Sequence, residues 1–235
     1  MADETFSIED FKLIPGQTGP RSARVLLSLQ ATIVAWATSY SYLEIGSFAG
    51  RSIHPHIRCP DCTHALSVDL RPDVAQDERG PVRGYEKVTA EMMIANLQKT
   101  CHEEELAKLE TITGTSNELR QRKTEGIFDL AFIDGEHTVR GVVTDFLNVL
   151  SQMKEDAIIA FDDTRIVFPA IEAADAVLEQ RNIKRKLVFA RHNITFFQLG
   201  AYADRAAMLD PRLIGDVNAA RKDYFELIRS TGIGA

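Results

Sequence analysis

Little in this chain points toward a disulfide framework, a membrane or a polyanion. Its 235 residues include three cysteines, too few for a disulfide scaffold. No apolar run reaches bilayer-spanning length. The opening MADETFSIEDF is acidic and lacks the basic-then-apolar layout of a secretory signal, so a cytoplasmic protein is expected. Basic residues are outnumbered 27 to 34, a formal net charge of −7, which argues against broad nucleic-acid or anionic-membrane binding. There is no internal repeat, no low-complexity tract, no GxGxxG of nicotinamide proteins and no GxxxxGKS-type phosphate loop. The remainder, 45% hydrophobic and 26% charged, has the make-up of a folded soluble domain. The length suits one large core with a short accessory segment.

The few cysteines include one pair at metal or redox spacing, Cys59-Pro-Asp-Cys62, with His54, His56 and His64 beside it and Cys101-His102 further on. A thioredoxin-like site wants its CxxC at a helix start after a strand, whereas this one precedes a strand. The plainer reading is a surface loop carrying two thiols, with structural zinc as the alternative.

Hydrophobic periodicity gives the architecture. Residues 21–38 have apolar groups at helical spacing, and 42–45, 65–69, 109–113, 127–134 and 157–161 read as strands. Helices are expected over 85–99, 138–153, 169–180 and about 219–229. Two late strands, 185–190 and 194–199, are joined by the Arg191-His192-Asn193 turn and should be antiparallel. The near-continuous apolar run ending at Asp134 suits a strand covered on both faces. The fold class expected is α/β: a three-layer Rossmann-like sandwich on a mostly parallel sheet of about seven strands, with an antiparallel strand near the C-terminus.

In such sheets ligands bind beyond the carboxyl ends of the strands. Four of those ends carry polar residues: Glu44-x-Gly46-x-x-x-Gly50, Asp69, Asp134 and Asp162-Asp163. Gly46 and Gly50 allow a tight turn and close backbone approach. Asp69, ending strand two, can accept both hydroxyls of a ribose. Asp134, Asp162 and Asp163 meet at one crevice, and three carboxylates there are best compensated by a hard cation, Mg²⁺ ahead of Mn²⁺ or Ca²⁺. His137 is a candidate general base because its free pKa lies near neutrality. The bland alternatives are turn glycines, a helix-capping Asp134 and an Asp163–Arg165 ion pair.

Taken together, Tyr42-Leu-Glu-Ile-Gly-Ser-Phe-Ala-Gly-Arg-Ser52, Ser67-Val-Asp69, Phe128-Asp-Leu-Ala-Phe-Ile-Asp-Gly-Glu-His137 and Phe161-Asp-Asp163 resemble class I S-adenosylmethionine-dependent methyltransferases. More narrowly, they are similar to the metal-dependent O-methyltransferases that include the macrocin and mycinamicin sugar-methylating enzymes. The resemblance spans residues 13–199. It implies that Glu44, Gly46, Ser47 and Gly50 wrap the methionine part of S-adenosyl-L-methionine, that Asp69 holds the ribose, and that Thr115 and Ser116 bind the adenine. It also implies that Asp134, Asp162 and Asp163 ligate Mg²⁺, with Asp134 also touching the cofactor and His137 acting as base.

The organisation implied is a lid-like segment over 1–38, a cofactor-binding catalytic domain over 39–200 and a helical tail over 201–235. The expected reaction is methyl transfer to a small-molecule hydroxyl, a vicinal diol on a sugar or catechol ring being preferred. Competing readings are a nicotinamide oxidoreductase, a metal-dependent hydrolase and a non-catalytic binding protein on the same fold. The apolar positions of 206–228 can dock on their own domain or on a second copy in a homodimer. One departure from the family pattern is the segment between Gly50 and Asp69, where Pro55 and CPDCTH replace a regular helix.

Overall fold

A computed structural model describes residues 7–72, 74–75, 77–80, 83–84, 87–122, 126–191 and 193–231. Seven strands form one sheet: β1 (Tyr40–Ile45), β2 (Cys62–Asp69), β5 (Leu109–Thr113), β6 (Phe128–Ile133), β7 (Met153–Phe161), β8 (Arg185–Ala190) and β9 (Ile194–Leu199). A separate two-stranded ribbon pairs β3 (Val74–Ala75) with β4 (Arg83–Gly84). The order across the large sheet is β5-β2-β1-β6-β7-β9-β8, with β9 antiparallel to both neighbours and the other pairings parallel. This is the mostly parallel, Rossmann-like architecture expected from the pattern.

The helices are α1 (Ile8–Phe11), α2 (Pro20–Trp36), α3 (His54–Arg58), α4 (Ala90–Leu97), α5 (Glu103–Leu106), α6 (Val139–Leu150), α7 (Thr164–Gln180) and α8 (Val217–Thr231). The core fills both faces of the sheet. Leu130 and Phe132 of β6 enter one cluster with α2 residues such as Leu29 and Ile33, and Ala131 and Ile133 enter the other with Phe146 of α6 and Ile171 of α7. Each fully buried large apolar side chain contributes roughly 1.5–3 kcal/mol, and this two-sided burial explains why β6 carries no polar–apolar alternation. Its one acid, Asp129, is buried but accepts hydrogen bonds from the Ser41 amide (2.8 Å) and Lys154 (2.9 Å). Among the described residues no helix is long and apolar enough to cross a membrane.

Local chemistry sets several element ends. Pro20 opens α2 at a position whose N–H would be unsatisfied anyway, and the Thr138 hydroxyl caps α6 by accepting from the Gly141 amide (3.0 Å). Pro55 occupies the first turn of α3, which lasts only five residues before Cys59 takes an extended conformation. The shortened helix is the local consequence of Pro55 and CPDCTH. Helix α7 begins five residues earlier than the expected start at Pro169, with a kink at Val167 (φ −115°) that accommodates the proline. The expected helix over 85–99 is observed at Ala90–Leu97; Tyr85, like His192 of the late turn, lies outside the described residues.

The cysteines and histidines do not gather. Cys62 is fully buried at the start of β2, and Cys59 is half-buried in the preceding turn. His54 meets Thr100 (2.9 Å), His56 meets the Tyr40 hydroxyl (3.0 Å) and stacks on Tyr42, and His64 meets Glu110 (3.1 Å). Among the described residues the one group of three or more ligand-type side chains lies elsewhere, at Asp134, His137 and Asp163.

Candidate active site

The strand order reverses direction between β1 and β6, which is where open α/β sheets place ligands. A cavity of about 1110 Å³ lies beyond the carboxyl ends of these strands, above the usual ~300–1,000 Å³ of a single ligand pocket. Of the residues picked out from the sequence, Gly46, Ser47, Asp69, Thr115, Ser116, Asp134, His137, Asp162 and Asp163 all line it. Glu44 and Gly50 do not.

Strand geometry accounts for Glu44. As the penultimate residue of β1 it projects to one side of the sheet instead of beyond its end. There it is fully buried, accepting hydrogen bonds from the Tyr42 hydroxyl (2.8 Å) and the Ser52 hydroxyl (2.5 Å). Burial pushes its carboxyl up to about 8 against the opposing pull of those two bonds. Ser52 itself lines the cavity, so Glu44 braces the glycine loop from beneath. Gly50 (φ +97°) is likewise structural, packed against Met93 and Leu97.

Gly46 sets the closest approach in the site. Its φ is +89°, and a Cβ placed on it would lie 2.0 Å from the Asp134 carbonyl oxygen. Loops from β1 and β6 therefore touch backbone to backbone, a contact that only glycine permits. Beside it, the Ser47 hydroxyl is buried and has no hydrogen-bond partner among the described residues, although it lines the cavity. A buried polar atom without a partner costs free energy, so this orphan fits a site that takes a polar ligand. Asp69 ends β2 with each oxygen accepting one amide, Oδ2 from Phe48 (2.6 Å) and Oδ1 from Arg71 (2.8 Å).

On the other side of Gly46, β6 and β7 deliver the acidic centre. One ligand-type atom each from Asp134, His137 and Asp163 falls within 4.8 Å of the others. His137 Nε2 stands 3.0 Å from Asp163 Oδ2 and 3.8 Å from Asp134 Oδ1. Asp162 borders this group with its Oδ1 turned to the Asp163 amide (2.8 Å). The compact cluster thus holds His137 in the place that the sequence reading gave to Asp162. Burial lifts Asp134 to about 6 despite its bond to His137, and burial followed by the charges of Asp134 and Asp163 lifts Asp162 well above the usual carboxylate range. Burial alone would depress His137, but the bond to Asp134 and the charges of Asp163, Asp134 and Asp77 outweigh it and hold the imidazolium to about 9. His137 is the basic group that faces these carboxylates. Two carboxylates and an imidazole around one point, with the Asp162 carboxylate at their border, form a donor set that fits a divalent cation.

Four residues of the cavity were not anticipated. Asp77 reaches the far side of the His137 ring (3.7 Å to Nδ1) and is itself gripped by Arg79; burial works against its charge, but Arg79 holds its carboxyl down at about 2. The neighbouring Glu78 accepts from the Val139 amide at the start of α6 (2.5 Å). Neither had a periodic signal, lying in a loop beside a two-residue strand. Asp145 is buried on α6, its carboxyl pushed up to about 6 by burial with the Ser116 hydroxyl opposing. Its signal was visible: an acid on the apolar face shared by Val142, Phe146 and Val149. Arg71 is the fourth.

Comparison with known proteins agrees with this geometry. The family described as "Methyltransferase domain" matches residues 43–164, a span running from β1 through the Asp162-Asp163 pair. No curated protein matches the chain. Among solved structures, the chain is similar to the O-methyltransferase TomG from Streptomyces achromogenes, solved with SAM (15% identity, 79% of this chain and 82% of that one, TM-score 0.56). It is also similar to an O-methyltransferase from Bacillus cereus in complex with SAH (14% identity, 85% and 91%, TM-score 0.56) and to the O-methyltransferase NovP (13% identity, 77% and 80%, TM-score 0.59). At these identities the likeness is one of fold. The family match covers more than half of the chain, and the chain belongs to the methyltransferase-domain family.

Proposed function

We propose that this protein is an S-adenosylmethionine-dependent, divalent-metal-dependent O-methyltransferase acting on a small-molecule hydroxyl, with a vicinal diol on a sugar or catechol ring preferred. The observation that carries the reading is the meeting, in one cavity at the sheet's reversal point, of a ribose-type acid (Asp69), an orphaned serine (Ser47) and an acid–histidine cluster (Asp134, Asp162, Asp163, His137). Similarity to O-methyltransferases solved with SAM or SAH supports the cofactor and the atom methylated.

On this reading Asp69 accepts the ribose hydroxyls, Ser47 meets the methionine end and Thr115 with Ser116 borders the adenine. Asp134, Asp162 and Asp163 hold Mg²⁺, with Mn²⁺ or Ca²⁺ as substitutes. When bound, the sulfonium supplies an electrophilic methyl group, and the cation lowers the pKa of a coordinated hydroxyl and fixes its position. His137 Nε2 takes the acceptor proton, which requires a neutral imidazole. A divalent cation held by the aspartates would supply the positive charge that the imidazolium otherwise provides, and so would favour that neutral state. Asp77 lies on the Nδ1 side of the ring, 3.7 Å away, as a charge partner for the imidazole. The segment 1–38 contributes Gly16, Gln17, Thr18, Gly19 and Ser22 to the cavity wall, consistent with a covering role.

The test is methyl transfer itself. The purified chain, incubated with S-adenosylmethionine, Mg²⁺ and a panel of catechols and sugar diols, is expected to add one methyl group to an acceptor, seen by mass. Chelation with EDTA should abolish the product and added Mg²⁺ should restore it. Turnover that is indifferent to EDTA would remove the metal from the proposal, and acceptance of amines alone would remove the hydroxyl.

A further inference from the structure

The scheme above makes no use of Arg71, whose surroundings are costly to build. It lies two residues beyond β2 at φ +49°, a left-handed conformation that side-chain-bearing residues rarely adopt. Its side chain is only 4% exposed, yet the one carboxylate within 4 Å among the described residues is that of Asp69, with Oδ2 at 3.9 Å. The guanidinium instead donates to the Asp69 carbonyl (3.2 Å), the Phe48 carbonyl (3.4 Å) and the Ser67 hydroxyl (3.5 Å), and meets the Met93 sulfur (3.1 Å). A desolvated cation held mainly by neutral acceptors is unfavourable unless it secures something else.

What it secures is the frame around Asp69. The two amides that orient that carboxylate belong to Phe48 and Arg71, and Phe48 too has positive φ (+47°). One guanidinium therefore ties together both loops that supply the amides, gripping the Phe48 carbonyl on one side and the Asp69 carbonyl on the other. Each carboxylate oxygen has two acceptor positions. With one on each oxygen filled by an amide, and no further hydrogen bond to either oxygen among the described residues, one remains on each, matching the two adjacent hydroxyls of a ribose.

We infer that Arg71 is a positioning residue for the cofactor, fixing the Phe48 and Asp69 loops so that the Asp69 carboxylate presents its two remaining acceptor positions to the ribose diol. This rests on the S-adenosylmethionine reading given above.

The experiment is calorimetric titration of the full chain with S-adenosylhomocysteine and with its 2′,3′-dideoxy analogue. Arg71→Gln is expected to weaken S-adenosylhomocysteine about tenfold, the size of one lost hydrogen bond to a charged group, and to leave the dideoxy analogue at its wild-type affinity. Asp69→Ala should show the same pattern, and the double variant should lose no more than Asp69→Ala alone. Arg71→Lys keeps the charge without the fork, and is expected to weaken S-adenosylhomocysteine several-fold while sparing the analogue. It decides the matter should the glutamine variant fail to fold. Equal losses for both ligands, or no loss for either, in a variant that melts as wild type would overturn the inference alone. Wild-type protein binding neither ligand would overturn the cofactor reading and this inference with it.

Discussion

Replacing Gly46 with alanine is expected to destabilise the protein by about 3 kcal/mol or more, and to abolish cofactor binding in whatever still folds. Two penalties combine. The position holds φ +89°, which a side chain strains, and the new Cβ would stand 2.0 Å from the Asp134 carbonyl oxygen and 2.6 Å from its carbon. Those are backbone atoms at the end of the central strand β6, and they cannot swing aside as a side-chain tip would. Relief comes only by parting the ends of β1 and β6, which displaces Asp134 from its neighbours. Thermal unfolding and S-adenosylhomocysteine titration measure both effects. Gly19→Ala is the control: nothing lies within 4 Å of its added Cβ and its φ is −73°, so its effect should stay within about 1 kcal/mol. If the two variants behaved alike, the β1–β6 contact would not be as described.

Asp163→Asn is expected to lower methyl transfer by about a thousandfold or more, a loss of roughly 4 kcal/mol of transition-state stabilisation. The same change should remove measurable Mg²⁺ or Mn²⁺ binding. The asparagine keeps the shape and the link to Asn193 but gives up the charge that faces His137 at 3.0 Å. The metal equilibrium should also depend on pH with a definite sign. Asp134 binds its proton up to about pH 6 and His137 up to about pH 9. A divalent cation competes with both protons, so its affinity should rise as pH increases from 6 toward 9. Calorimetry with Mn²⁺ at three pH values across that window measures the trend. An affinity that is flat or falls with pH would contradict the assignment of His137 as the basic group that faces the carboxylates.

How much of this could be read from residues alone depended on how strongly each feature is coupled to a period. The bounds of β5, β8 and β9 coincide with the runs 109–113, 185–190 and 194–199, because apolar strands bounded by turn residues are distinct local signals. Carboxyl-terminal acids were legible for a topological reason: parallel strands bring Asp69, Asp134 and Asp162-Asp163 to one edge whatever the loops do. Features governed by tertiary contact were not legible. The β3–β4 ribbon has two residues per strand and no period to detect. Glu44 seemed to belong to the ligand loop, but strand alternation turns it under the sheet toward Tyr42 and Ser52. His137 joins the carboxylate cluster more tightly than Asp162 does, because Asp162 spends one oxygen on its neighbour's amide while the His137 ring lies between Asp163 and Asp77. Arg71 has a role set by two loops meeting, which no single stretch of sequence encodes.

The cofactor crevice is tested most directly by titrating the purified chain with S-adenosylhomocysteine, alongside Asp69→Ala. Binding in the micromolar range is expected for wild type, weakened by tenfold or more in Asp69→Ala, which removes the ribose acceptors and leaves the Phe48 and Arg71 amides unpaired. No binding by wild-type protein that unfolds cooperatively on heating would contradict it.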